Sequence, residues 1–319
     1  MGDATQAPEQ IISLPQGGGS VRGIGETFTP DIQTGTGNMT VPVIVPPGRR
    51  GLEPRLDLAY STGNGNGFFG LGWTLSLAGI SRKTSRGVPV YDDDTDTFIL
   101  SGNEDLVPVE ELAGIGTRYR PRSEGLFASI IHHCDAASHQ DYWEVTSKDG
   151  LVSRYGTRRP ATSTTSWRDP AVIADPDVPH HIFAWKLTET WDPLGNAITY
   201  EYDADAGESG NHRWRQPLLR TIGYADYMPA GGTARFLATV TFGDEEREDP
   251  FSSYTAGFEI RTSRRYRTIT TAVHADTDQL VRRYELDYQA DPYNGVTLLT
   301  SVTVVGFDDE GPPLATCRR

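Results

Sequence analysis

Apolar and polar residues alternate along most of this chain, and the alternation predicts strands rather than helices. In Phe68-Phe69-Gly70-Leu71-Gly72-Trp73-Thr74-Leu75-Ser76-Leu77, residues Trp73, Leu75 and Leu77 fall on one face of an extended strand. Thr74 and Ser76 fall on the other. Leu56-Asp57-Leu58-Ala59-Tyr60 alternates in the same way and pairs with that strand across the turn Gly63-Asn64-Gly65-Asn66-Gly67. Gly70 and Gly72, set between bulkier neighbours, predict a kinked strand entry where backbone or a ring packs closely. Gly70, Gly72 and Trp73 are therefore the expected structural anchor, with Trp73 buried.

The same period recurs to the end. Met39 to Val45 is a strand candidate that Pro42 marks as an edge or irregular one. Tyr142 to Thr146 and Leu151 to Tyr155 are joined by Lys148-Asp149-Gly150, a hairpin signal. His181 to Trp191 leads through Asp192-Pro193-Leu194-Gly195-Asn196 into Ala197 to Tyr202. Further strands read over residues 97–100, 236–242, 266–274, 281–288 and 298–307. Helical periodicity supports one short turn at most, at Val109 to Ala113. The stretch from Thr157 to Pro179 reads as an insertion loop, and the hydrophilic run from Gly243 to Pro250 as a hairpin tip. Residues 148–156 and 191–202 share one form: strand, Asp- or Asn-Gly turn, strand ending in Tyr. The expected fold is all-β, a long curved antiparallel sheet of sequential hairpins with little helix. Residues 1–10 read as a mobile tail, 11–308 as one β domain, and 309–319 as a C-terminal tail or linker. The apolar strand 298–307 is expected to present an edge without protective charge or proline.

Composition sharpens this picture. Of 319 residues, 37% are hydrophobic and 10% aromatic, with 34 Gly and 21 Pro, a turn-rich globular balance rather than a disordered one. A net charge of −14 repels polyanions and argues against nucleic acid as a partner. The basic run Arg261-Thr262-Ser263-Arg264-Arg265-Tyr266-Arg267 reads as the solvated side of a strand. Two cysteines, Cys134 and Cys317, build no disulfide framework. The first residues lack a basic segment followed by an apolar one, and no run is long enough to span a membrane. A protein made in the cytoplasm and acting outside the cell would then be secreted by a non-Sec route.

Few constellations suggest chemistry. Asp92, Asp94 and Asp96 have the spacing of a calcium loop, but Thr97 and Asn103 stand where that loop needs Gly and Glu. They are a weak calcium candidate. His132-His133-Cys134 with His139 suggests a metal cluster, yet adjacent strand residues point to opposite faces and no Cys-x-x-Cys or His-x-x-x-His supports them. His180-His181 shares that weakness. Gly17-Gly18-Gly19-Ser20 is not a phosphate loop, and no Gly-x-Ser-x-Gly elbow occurs. Glu246-Arg247-Glu248 gives the Glu-x-Glu pair used in ADP-ribosyl transfer, placed here in an expected hairpin tip rather than beside a strand-borne Ser/Thr motif. No catalytic residue, cofactor site or firm metal site follows. Trp143, Trp167 and Trp214 motivate an alternative, a carbohydrate-binding surface module.

The chain resembles the SpvB-type N-terminal domain, the family of the Salmonella virulence plasmid B protein and of the B components of insecticidal toxin complexes. The likeness rests on Ile12-Ser13-Leu14-Pro15-Gln16-Gly17-Gly18-Gly19-Ser20, Gly23-Ile24-Gly25-Glu26-Thr27-Phe28, Thr34-Gly35-Thr36-Gly37 and Leu56 to Ser61. Phe69-Gly70-Leu71-Gly72-Trp73 with Ile80-Ser81-Arg82 is the most specific piece, and Lys148-Asp149-Gly150 and Leu298-Leu299-Thr300-Ser301-Val302 also fit. The resemblance implies a non-enzymatic, virulence-associated scaffold. Such a domain contributes strands to a shell built with an Rhs/YD-repeat partner, which encloses and delivers a toxic polypeptide. The hairpin from Trp191 to Tyr202 is itself similar to a YD repeat. The resemblance implies as partners an Rhs-repeat or toxin-complex protein, or downstream modules of a longer chain. An alternative it implies is the targeting half of an ADP-ribosylating toxin whose transferase is a separate domain.

Overall fold

The computed structural model describes residues 27–30, 35–102, 104–123, 127–135, 138–164, 166–227, 235–275, 277–308 and 311–318. The expected tail at 1–10 and the motifs at 12–20 and 23–26 lie outside these residues. Among the described residues every helix or strand is a strand. The chain divides into two compact units, one built on Leu77–Leu219 and Ser252–Arg261, the other on Leu14–Ser76, Arg220–Phe251 and Thr262–Arg319.

The second unit begins with β1 (Thr27–Pro30), β2 (Gly37–Val43), β3 (Leu56–Ser61), β4 (Asn66–Gly67), β5 (Gly70–Leu71) and β6 (Trp73–Leu75). β1, β2, β3 and β6 form a four-stranded antiparallel sheet, and β4 pairs with β5. Leu58 faces Leu75 and Tyr60 faces Trp73, the pairing that the alternation predicts. Pro42 lies in β2 opposite Asp57, beyond the four residues that β1 covers, so its missing donor breaks no ladder on that side.

The first unit holds β7 (Gly79–Arg82), β8 (Phe98–Leu100), β9 (Glu104–Leu112), β10 (Gly116–Pro121) and β11 (Ser129–Asp135). It continues with β12 (Gln140–Thr146), β13 (Val152–Tyr155), β14 (Val172–Ala174), β15 (Ile182–Trp191) and β16 (Ala197–Ser209). β7 to β13 pair in sequence. β15 then pairs with both ends of that series, Trp185 with Ile80 and Trp191 with Val152. Eight strands thus close into a barrel, where the sequence predicts only sequential hairpins. Ile80, Phe98, Leu100, Ile130, Trp143, Val145 and Trp185 have no solvent exposure, and the rings of Phe98, Tyr119, Trp143 and Trp185 meet edge to face or tilted. The residues read as a helical turn end β9 instead. The expected insertion loop contributes β14, which pairs with β15.

The hairpin turns follow their chemistry. At Asp192, one carboxylate oxygen accepts the amides of Leu194 and Asn196 at 2.9 Å, and the other accepts the Asn196 side chain at 2.7 Å. At the Lys148-Asp149-Gly150 turn, the Ser147 amide donates to Leu151 O at 2.8 Å.

Beyond β16 the sheet continues through β17 (His212–Tyr227), β18 (Arg235–Ser253), β19 (Ile260–His274), β20 (Asp278–Ala290), β21 (Thr297–Asp308) and β22 (Gly311–Arg318). Two expectations change here. Residues 243–250 are not a tip but the interior of β18. Residues 311–318, expected as tail or linker, form β22 and cover the β21 edge that the sequence leaves bare.

Candidate functional site

The anchor stretch packs within the second unit. Phe68 and Phe69 lie against Tyr266 at 5.6 and 4.8 Å between ring centres, and Tyr266 lies against Phe242 at 5.4 Å. Phe69 is buried whereas Trp73 is half-buried, touching Tyr60 at 5.3 Å. The expectation that Trp73 is the buried ring is corrected: the aromatic side chain of this stretch that reaches the core is Phe69, four residues earlier. Gly70 and Gly72 are both buried with φ of +85° and +81°. A β-carbon would meet Thr297 O at 2.9 Å from Gly70 and the Tyr60 ring at 2.4 Å from Gly72, so both positions require glycine.

Next to them Arg247 is buried with no side-chain exposure. It donates to Gly67 O at 2.8 Å, Asn66 Oδ1 at 3.0 Å and Asp249 at 3.0 and 3.1 Å. Asp249 also accepts the Thr297 amide at 2.7 Å and the Thr297 hydroxyl. Burial alone raises the Asp249 carboxyl, but the bonds from Arg247 and Thr297 outweigh it and hold it well below the usual carboxylate range. Glu246 and Glu248, flanking Arg247 on a strand, necessarily point the other way and are exposed. The basic run on β19 is matched to acids across the sheet, Arg264 to Asp244 at 2.6 Å and Arg265 to Glu245 at 2.8 Å.

In the first unit, Arg82 at the end of β7 is 4% exposed. It donates to Ile182 O at 2.9 Å, Asp96 at 2.8 Å and Asp93 at 2.7 Å, with its guanidinium 4.8 Å from the Phe98 ring centre. Asp96 additionally accepts the amides of Val90 and Tyr91. Of the calcium candidates, Asp96 is thus spent on Arg82 and backbone, while Asp92 and Asp94 are exposed and Asp92 caps the Asp94 amide at 3.1 Å. The turn does not alternate as a strand would, so Asp93 faces inward in place of Asp94.

His132 on β11 is 2% exposed and stacks on Trp143 at 4.1 Å. Its Nε2 lies 2.9 Å from Asp141 Oδ1, which also accepts Trp185 Nε1 at 3.0 Å. Cys134, two residues on, shares the His132 face; the residue is exposed as a whole, but loss of water around its sulfur first, then the Asp141 and Asp93 carboxylates, push its thiol up to about 12. One ligand atom each from Asp93, His132 and Cys134 lies within 4.8 Å of the others. The telling spacing is His132-x-Cys134, which puts both side chains on one face, rather than the adjacent His132-His133 pair.

Asp93 and Cys134, though not the buried His132, border a cleft of about 1390 Å³ whose wall also includes Tyr91, Asp141, Trp167 and Trp214. His139 and His180, also singled out from sequence, border it too. Arg159 lies over Trp167 at 5.8 Å and Arg261 over Trp214 at 5.1 Å. Trp143, expected as a surface aromatic, has no exposure because its ring is sandwiched in the barrel core. Among the described residues no helix is long and apolar enough to cross a membrane.

Comparison with known proteins places this architecture. The mono(ADP-ribosyl)transferase SpvB of Salmonella choleraesuis (strain SC-B67) is 28% identical over 359 residues, covering 94% of this chain. The chain spans 57% of the length of that relative. The N-terminal domain of the effector protein SpvB from Salmonella typhimurium strain LT2 superposes with a TM-score of 0.70 at 26% identity, over 84% of this chain and 100% of that one. The crystal structure of TcdB2-TccC3 matches 95% of this chain and 17% of its own, with a TM-score of 0.75 and 28% identity. The family described as Salmonella virulence plasmid 65kDa B protein matches residues 31–246, and this chain belongs to that SpvB family.

Proposed function

We propose that this chain is a non-catalytic structural segment of a bacterial toxin complex, contributing strands to a shell that encloses and delivers a toxic polypeptide. The observation that carries the reading is the fit to TcdB2-TccC3, in which nearly the whole of this chain corresponds to 17% of a far longer one. A unit recurring whole within so large a polypeptide is suited to be a wall segment. Its partners are then an Rhs-repeat or toxin-complex protein, or further modules of a longer chain, and it acts outside the cell. A second reading, the targeting half of an ADP-ribosylating toxin, is favoured by the SpvB relatives, of which the chain spans little more than half.

Co-expression with an Rhs-repeat partner tests the first reading. The expected result is a stable co-eluting complex in which a peptide fused to the partner resists protease. Incubation of the same chain with labelled NAD and actin or a host lysate is expected to transfer no label. A chain that never co-elutes, or label transfer abolished by Glu248→Gln, would sink the shell reading.

A further inference from the structure

Asp141 Oδ1 stands within hydrogen-bond distance of two ring nitrogens, His132 Nε2 at 2.9 Å and Trp185 Nε1 at 3.0 Å. An indole nitrogen only donates, and an ionised carboxylate only accepts. His132 therefore donates through Nε2 to Asp141, and its Nδ1 is the ring nitrogen turned toward Asp93. Nδ1 lies 3.5 Å from Asp93 Oδ2, while the other oxygen of Asp93 accepts from Arg82 at 2.7 Å. A ring nitrogen and a carboxylate oxygen at that separation, beside a buried ring, leave a gap that a cation can fill. Cys134 offers a third donor atom on the same strand face, all three within 4.8 Å of one another.

We propose that Asp93, His132 and Cys134 bind a divalent ion of the zinc class through oxygen, nitrogen and sulfur, leaving a fourth position open to the cleft. A mixed set with a thiolate suits zinc and disfavours calcium or magnesium, which take oxygen ligands. Asp141 on the far nitrogen is the partner that metal-bound histidines use to fix ring and tautomer, and Trp143 stacked at 4.1 Å fixes the ring plane. Bonds of about 2.0–2.3 Å to a tetrahedral ion draw the three donor atoms closer together by roughly 1 Å. Side-chain rotation of Cys134 and Asp93 supplies that, because neither is buried. On binding, the sulfur–hydrogen bond of Cys134 is exchanged for a sulfur–metal bond and its proton leaves to solvent. Asp93 and Cys134 both border the cleft, so the fourth ligand is water or an oxygen donor entering from it.

The test uses the full chain, stripped with a chelator, in a Cys317→Ser background that leaves Cys134 as its one thiol. Cobalt(II) serves as the spectroscopic probe and zinc as the competitor. The expected result is one equivalent of cobalt bound with a thiolate-to-metal charge-transfer band, displaced by zinc. Cys134→Ser should abolish the band, and Asp141→Asn should weaken affinity about 10–100-fold. Cys134 is exposed, so its variant should keep the parent's circular dichroism and apo melting temperature. No cobalt or zinc uptake by the reduced parent, or uptake undiminished in Cys134→Ser, would overturn the proposal.

Discussion

Taking a guanidinium out of water costs several kcal/mol unless its charge and its donors are matched, and Arg247 shows what the match consists of. Its donors reach two acceptors on the 66–67 segment and both oxygens of Asp249. Asp249→Asn keeps the shape but leaves the buried cation without a counter-charge. The expected loss is about 3–5 kcal/mol, read as a fall in the urea midpoint. The pH dependence has a fixed sign. A carboxyl held below its ordinary value contributes fully above the unfolded-chain pKa, near ~4, and that stability is lost as pH falls through the folded value. The variant's stability should therefore be flatter in acid than the parent's. Equal acid slopes would show that Asp249 is not the counter-charge. Asp169 behaves in the opposite sense: burial raises it to about 6 against the bonds from the Thr157 and Ala171 amides. Its contribution is present at low pH and lost as pH rises through about 6. Asp169→Asn should remove that loss, with unfolding midpoints nearly constant across the range where the parent's decline. A parallel decline in both proteins would assign the titration elsewhere.

At the level of elements, the 66–75 segment shows how much of a site alternation reveals. The pairing of 56–60 with 73–75, the two hairpin turns and the need for glycine at 72 follow from local chemistry, which is visible in sequence, whereas Gly70 is also required by the approach of distant Thr297. Which ring is buried is decided by β19, whose Tyr266 meets Phe69 and not Trp73. Period-2 patterning assigns faces but does not say what lies opposite. The acidic turn at 92–96 illustrates the same gap, since spacing selects Asp94 and the folded turn selects Asp93. Phe69→Ala should cost about 3–5 kcal/mol, the range for deleting a core aromatic, and Trp73→Ala clearly less. Gly72→Ala should cost at least ~1–2 kcal/mol from its left-handed backbone, before the clash with Tyr60 is added. Chemical denaturation of the three variants orders them, and a larger effect at Trp73 than at Phe69 would reverse the assignment.

At the scale of the whole molecule, the pairings hardest to see in sequence are those that close the barrel. Ile80 meets Trp185 across more than a hundred residues, and no turn chemistry encodes such a register. A closed barrel has no edge, so apart from the short β14, which pairs with β15 alone, the unpaired backbone of the main sheet lies at its other end. There β22 pairs with β21 and, among the described residues, with no further strand. Pro312 and Pro313 lack donors and blunt part of that edge, which is where strand prolines are tolerated. The rest of β22, residues 314–318, retains backbone able to receive another strand. Hydrogen exchange on the isolated chain should therefore find the β7, β8 and β15 amides slow, the β21 amides slow, and alternate amides of residues 314–318 fast. Adding an Rhs-repeat partner should slow those fast amides without changing the barrel. Uniformly slow exchange across 314–318 in the isolated chain would mean that this edge is already covered. The shell reading would then need a different surface for assembly.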